Sequence, residues 1–226
     1  MSNSVSIGNI SKVVFVLTEL YLFFISQFGF TMEVDKVHYV CVLLCFVYAF
    51  GCVFVKKQGK RDSQYILLGL FFTCIADFFL ILRNSLYEAG ITAFFFAQCC
   101  YFIYLTVQWN QEKRTHSFKL RIIIAGILSI AVMVKARQFS MFALVVTLYG
   151  VFFIGNVKAA VMEFRKHKLY TVGLVLFILC DICVGVSNLE MAGIQNPLKY
   201  VFFELVWCFY IPSQVCIALS IERKST

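Results

Sequence analysis

The chain has 226 residues, of which 61% are hydrophobic and only 14% charged, with a net charge of +8 at pH 7 and a mean hydropathy of +0.85. Soluble globular chains carry about 25% charged residues, so this chain has too little polar surface to coat a water-soluble body. A bilayer is the solvent in which it can fold.

Apolar windows taken in chain order predict eight membrane spans, at roughly 12–30, 37–55, 64–82, 90–109, 120–134, 139–161, 169–187 and 199–220. The N-terminal stretch MSNSVSIGNIS is polar and no small-residue cleavage site follows the first run, so no cleavable signal is expected. The fifth window is short, as in a tilted helix or one pushed against its neighbour. Only two prolines interrupt the chain, and Pro212 is expected to kink the last span. No stretch is long enough to act as a linker. The expected architecture is therefore all-α, a polytopic helix bundle forming one transmembrane domain over residues 1–226. All ten cysteines fall inside apolar runs, where a free thiol packs as a small hydrophobe, and they are read as packing groups.

The surplus positive charge sits in short clusters between the apolar runs. That is the pattern of topology determinants and anionic-lipid contacts, and it argues against a nucleic-acid partner. With the N-terminus inside, the inner segments hold Lys12, Lys56, Lys57, Lys60, Arg61, Lys113, Arg114, Lys119, Arg121, Lys158, Arg165, Lys166, Lys168, Arg223 and Lys224. The outer segments hold only Lys36, Arg83, Lys135, Arg137 and Lys199. This asymmetry predicts that both termini are cytoplasmic and that the number of spans is even.

Spans three and seven look alike. GLFFTCIAD at 69–77 and GLVLFILCD at 173–181 each read Gly-Leu, six uncharged residues, then Asp. Four spans separate their starts, which hints at a parallel four-plus-four duplication. At about 1.5 Å per residue, Asp77 lies about 18 Å and Asp181 about 16 Å from the inner face. By the same rise Gln98 of span four lies about 12 Å from the outer face, in the same layer of a core about 30 Å thick. Trp207 and Tyr210 of span eight pass close by. A charge there costs at least ~2.5–3.5 kcal/mol, so such acids face the bundle interior, pair, or keep a proton. No basic residue is expected in that layer, Arg83 standing about 9 Å above Asp77. Two carboxyls in low dielectric then titrate as a pair, one holding its proton, and a proton donor beside a carboxylate base is what acid–base hydrolysis requires.

The remaining polar residues have plainer readings beside functional ones. Glu19 caps a cavity or bonds a neighbouring helix. Glu204 lies near an outer helix end. Asn156, Asn188 and Gln214 can join helices through hydrogen bonds. His38 near an outer end, with His116 and His167 in inner loops, leaves no histidine for a zinc centre in the acid layer, so no metal and no cofactor is expected. There is no phosphate-cradling glycine motif, nucleophile elbow or His-Glu-x-x-His.

The stretches GLFFTCIADFFLILRN…GITAFFFAQCCYFIYL (69–84, 90–105) and GLVLFILCDICVGVSNL…WCFYIPSQVCIALS (173–189, 207–220) resemble the YhhN-type, lysoplasmalogenase-like family of membrane proteins. In that family the first Asp-bearing helix is followed by a helix with a polar residue three before Tyr, here Gln98 and Tyr101. The second is followed by a last helix with a Tyr…Gln…Ser pattern, here Tyr210, Gln214 and Ser220. Many relatives carry His where this chain has Gln98. The resemblance implies hydrolysis of the vinyl ether bond of lysoplasmalogens, with Asp77 and Asp181 as the catalytic acids. It places Gln98, Tyr101, Tyr210, Gln214, Asn188, Glu19 and Arg83 in the substrate-binding polar layer. The implied partners are a lysophospholipid entering from the bilayer and the membrane lipids themselves, in a multi-pass protein of a bacterial cell membrane. Two other classes stay open. Matched intramembrane acids also suit a proton-coupled carrier or sensor, although the Asp segments lack the Gly/Pro interruptions of broken carrier helices. A structural protein would use the acids only to lock helices.

Overall fold

The computed structural model describes residues 2–29, 33–55, 62–137, 139–188 and 195–221, with side chains from residue 9 onward and not at 55. Among them the regular structure is entirely helical: α1 (Ser2–Gln27), α2 (Val34–Phe50), α3 (Ser63–Asp77), α4 (Tyr87–Thr106), α5 (Gln111–Ala136), α6 (Met141–Met162), α7 (Lys168–Ser187) and α8 (Lys199–Leu219). All eight, counting the wide turns that prolong α2 and α3, are long and apolar enough to cross a membrane.

The helix ends follow local chemistry more closely than hydropathy. The fifth span is not short: α5 starts at Gln111, nine residues before the apolar window, because the side chain of Asn110 accepts the Lys113 N–H at 2.9 Å and caps the helix. Its first turns, QEKRTHSFK, are polar helix that an apolar window cannot register. α1 likewise extends back to Ser2, and it ends where Gly29 takes a left-handed φ of +70.

α2 and α3 each run on into one wide π-helical turn, Gly51–Val55 and Phe78–Leu82. In the second, the Arg83 N–H reaches back to the Phe78 carbonyl at 3.0 Å. The segment after Asp77 in α3 holds no glycine or proline, as expected, yet its winding widens. Such turns recur at functional sites. Asn84 and Leu86, both with positive φ, then reverse the chain into α4.

The chain divides into two compact units, Lys60–Met162 and Met1–Gly59 with Glu163–Thr226. In the first, α3 packs on α4, α4 on α6, and α5 on α6. In the second, α7 packs on α8, α8 on α2, and α2 on α1, with α1 also touching α8. Each unit thus holds one Asp-bearing helix pair, and its second member packs on a helix that carries the fourth. The order of helix contacts is the same in α3, α4, α6, α5 as in α7, α8, α2, α1.

The glycine that opens each repeated segment lets its pair approach closely. A Cβ on Gly69 would fall 2.1 Å from Cε1 of the fully buried Tyr101. One on Gly173 would fall 2.9 Å from the Ser213 carbonyl oxygen. Nothing lies within 4 Å of a Cβ on Gly126 of α5. Gly69→Ala should therefore lower stability by about 1–3 kcal/mol through overpacking. Its thermal unfolding midpoint in detergent should fall clearly below wild type, while Gly126→Ala leaves it unchanged.

Candidate functional site

Asp77 closes the regular part of α3 and is 2% exposed. Tyr101 and Gln98 stand on the partner helix α4, both fully buried. Two close approaches fix the pairing of α3 with α4: Gly69 against Tyr101, and Leu80 against Gly90, where an added Cβ would meet Leu80 Cγ at 2.6 Å. On a helix each side chain leans toward its own N-terminus. In this antiparallel pair Asp77 and Gln98 therefore lean toward a common level from opposite ends.

Gln98 is the terminus of a buried relay. Asn156 of α6 donates Nδ2–H to the Gln98 backbone oxygen at 2.8 Å and to its Oε1 at 3.0 Å. Asn156 Oδ1 in turn accepts from Arg121 Nη1 at 2.7 Å, and the same Nη1 reaches the Phe152 carbonyl at 3.2 Å. The guanidinium lies over the rings of Phe102 and Phe152, 4.5 and 5.5 Å from their centroids. Gly155 makes the room, since a Cβ there would stand 2.7 Å from Arg121 Cζ. Arg121 belongs to α5 rather than to a loop, is buried, and comes within one amide of Gln98. In the sequence it sat among clustered cations, and no periodicity marks a cation that turns inward.

The α7–α8 pair presents a second cluster in its own unit. Asp181 is half-buried, while Tyr210 and Gln214 are buried. Tyr210 lies 5.5 Å from Phe177 and 6.1 Å from Trp207, ring centroid to centroid. Ser213 donates to the Tyr210 carbonyl at 2.6 Å, within one turn of Pro212. Gln214 Nε2 donates to Ser213 Oγ at 3.1 Å.

His38, read from sequence as a residue near a helix end, is 1% exposed and stacks on Trp207 at 3.7 Å. Glu19 is buried between α1 and α2 and accepts from Cys45 Sγ at 3.6 Å. Two expected members of the polar layer do not join a buried cluster. Asn188 is exposed at the end of α7 and donates to its own helix at the Val184 carbonyl, 2.8 Å away. Arg83 is exposed beyond the wide turn. Among the described residues no three His, Cys, Asp or Glu side chains gather closely enough to hold a metal ion.

These features define a multi-pass helical membrane protein that carries acids and amides inside its spans. The sequence profile of the YhhN family matches residues 15–221, nearly the whole chain, and the chain belongs to that family. No curated protein and no solved structure matches it.

Because Arg121 is charged and buried, removing its acceptor is costly. Asn156→Leu should destabilise the protein by about 3–5 kcal/mol, read as a large drop in the unfolding midpoint in detergent. Asn188→Ala, at an exposed helix end, should stay within about 0.5 kcal/mol of wild type.

Proposed function

We propose that this protein is an intramembrane lipid hydrolase that cleaves the vinyl ether bond of lysoplasmalogens, giving a fatty aldehyde and a glycerophospho-head group. Membership of a lysoplasmalogenase-related family supports the reading. The observation that carries it is Asp77, an acidic side chain 2% exposed within a membrane span. An ionisable group in that position is expensive to keep, which makes function the default explanation.

The chemistry needs one proton donor and one base. A carboxyl protonates the β-carbon of the alkenyl ether, and the electron pair of the double bond forms the new C–H bond. The positive charge is left on an oxocarbenium ion. The second, ionised carboxylate stabilises that cation and takes a proton from water as water adds to its carbon. The resulting hemiacetal collapses to the aldehyde and the freed glycerol hydroxyl, and the proton balance closes. Asp77 and Asp181 take these two roles, with Gln98 and Tyr101 fixing the substrate beside Asp77. The lysophospholipid reaches them sideways from the lipid of a bacterial cell membrane, with both protein termini on the cytoplasmic side.

One observation favours a second reading, a proton-coupled carrier: the wide turn that interrupts α3 directly after Asp77. Purified protein in detergent, supplied with an alkenyl lysophospholipid, separates the two. For the hydrolase, Asp77→Asn and Asp181→Asn each reduce aldehyde release at least 100-fold, and the double variant is no slower than the worse single one, as for residues acting as a unit. Retained turnover in Asp77→Asn would remove it from the mechanism, and gradient-driven uptake in liposomes without aldehyde would support the carrier.

A further inference from the structure

Arg121 dictates which end of the Gln98 amide is on offer. A guanidinium carries only donors, so the Asn156 atom that meets Nη1 at 2.7 Å must be the oxygen. Asn156 Nδ2 then faces Gln98. Two donors cannot face each other, so Gln98 must turn its oxygen toward Asn156 and its Nε2 away. That Nε2 is fully buried and has no hydrogen-bond partner among the described residues. The polarity of the relay is thus set at one end by a group that cannot be deprotonated in a protein, and it ends in an unpaired donor.

Leaving a buried donor unsatisfied costs about 1–3 kcal/mol, and a relay that enforces the cost points to a ligand acceptor. Three kinds of oxygen in a lysoplasmalogen compete for it. The ether oxygen is unsuitable, because an N–H bound to it withdraws the electrons that the oxocarbenium ion needs. Phosphate oxygens carry a full charge and call for a cation, whereas Arg121 is committed to Asn156 and Phe152. The glycerol hydroxyl is small and neutral, and it can accept from Gln98 while donating elsewhere.

We propose that Gln98 Nε2 binds the free glycerol hydroxyl of the lysolipid, with Asn156 and Arg121 as the positioning residues that keep the donor outward. This rests on the hydrolase reading of the Asp77 site. It makes Gln98 a specificity-determining residue, since an acyl chain on that oxygen has no place against a fully buried amide. One-chain lipids are selected over two-chain lipids.

The test uses saturated 1-O-alkyl glycerophosphoethanolamines, which bind without being cleaved, carrying at carbon 2 a hydroxyl, a hydrogen or a methoxy group. Affinities are measured by titration calorimetry on the full chain in detergent. Wild type should prefer the hydroxyl over the deoxy ligand about tenfold, the scale of one neutral hydrogen bond. Gln98→His should keep the preference, since a neutral imidazole accepts at one nitrogen and donates at the other. Asn156→Asp offers no N–H to Gln98, so the amide reverses. A hydroxyl can still donate to the outward Gln98 oxygen but a methoxy oxygen can only accept, so the hydroxyl-to-methoxy affinity ratio should rise about tenfold over wild type while the deoxy ligand binds as before. A merely structural role would weaken all three ligands alike. Equal wild-type affinity for the hydroxyl and deoxy ligands overturns the inference, and so does a hydroxyl-to-methoxy ratio that Asn156→Asp leaves unchanged. If wild type releases aldehyde from an alkenyl lysolipid but shows no preference, only this inference falls. If it neither binds these lipids nor releases aldehyde, the hydrolase reading falls and takes the inference with it.

Discussion

Hydrocarbon offers no hydrogen bonds, so each polar side chain within a span must be satisfied by the bundle or kept for a purpose. That constraint sorts the polar residues of this chain. Arg121 would be prohibitive in lipid, and it is taken in by an amide oxygen, a backbone carbonyl and two aromatic faces. Asn188 satisfies itself on its own helix. Asp77 and Gln98 are buried deep in the α3–α4 pair, where water could not solvate either cheaply.

The same constraint links packing to the site. α4 can press on α3 only because position 69 lacks a side chain, and that approach brings the Tyr101 ring down onto α3. Gly155 does for Arg121 what Gly69 does for Tyr101. Small residues therefore serve less as flexible points than as sockets for large polar or aromatic partners. The wide turn beyond Asp77 ends the regular hydrogen-bond ladder next to the acid.

Much of this organisation was legible in the sequence. Eight apolar windows correspond to eight helices, because transfer to lipid dominates the energetics and hydropathy records it directly. The repeated Gly-Leu…Asp segments located both acid-bearing helices. What escaped notice depends on partners rather than composition. The polar start of α5 is helical because of the Asn110 cap, and it lies outside any apolar window. Arg121 reads as one more cation in a basic cluster until α6 supplies Asn156 and the gap at Gly155. The stacking of His38 on Trp207 joins residues 169 positions apart, and no spacing rule reaches that far. The grouping of α7 and α8 with α1 and α2 likewise follows from packing and not from chain order.

The central claim is that an intramembrane carboxyl breaks an alkenyl ether by delivering a proton to carbon. The most direct measurement is turnover of an alkenyl lysophospholipid in heavy water, with the aldehyde reduced to the alcohol as it forms and analysed by mass spectrometry. The account predicts one solvent deuterium on the carbon next to the former aldehyde carbon with the wild-type protein, and no product with Asp77→Asn. Product lacking that deuterium, or undiminished product from the variant, would contradict it.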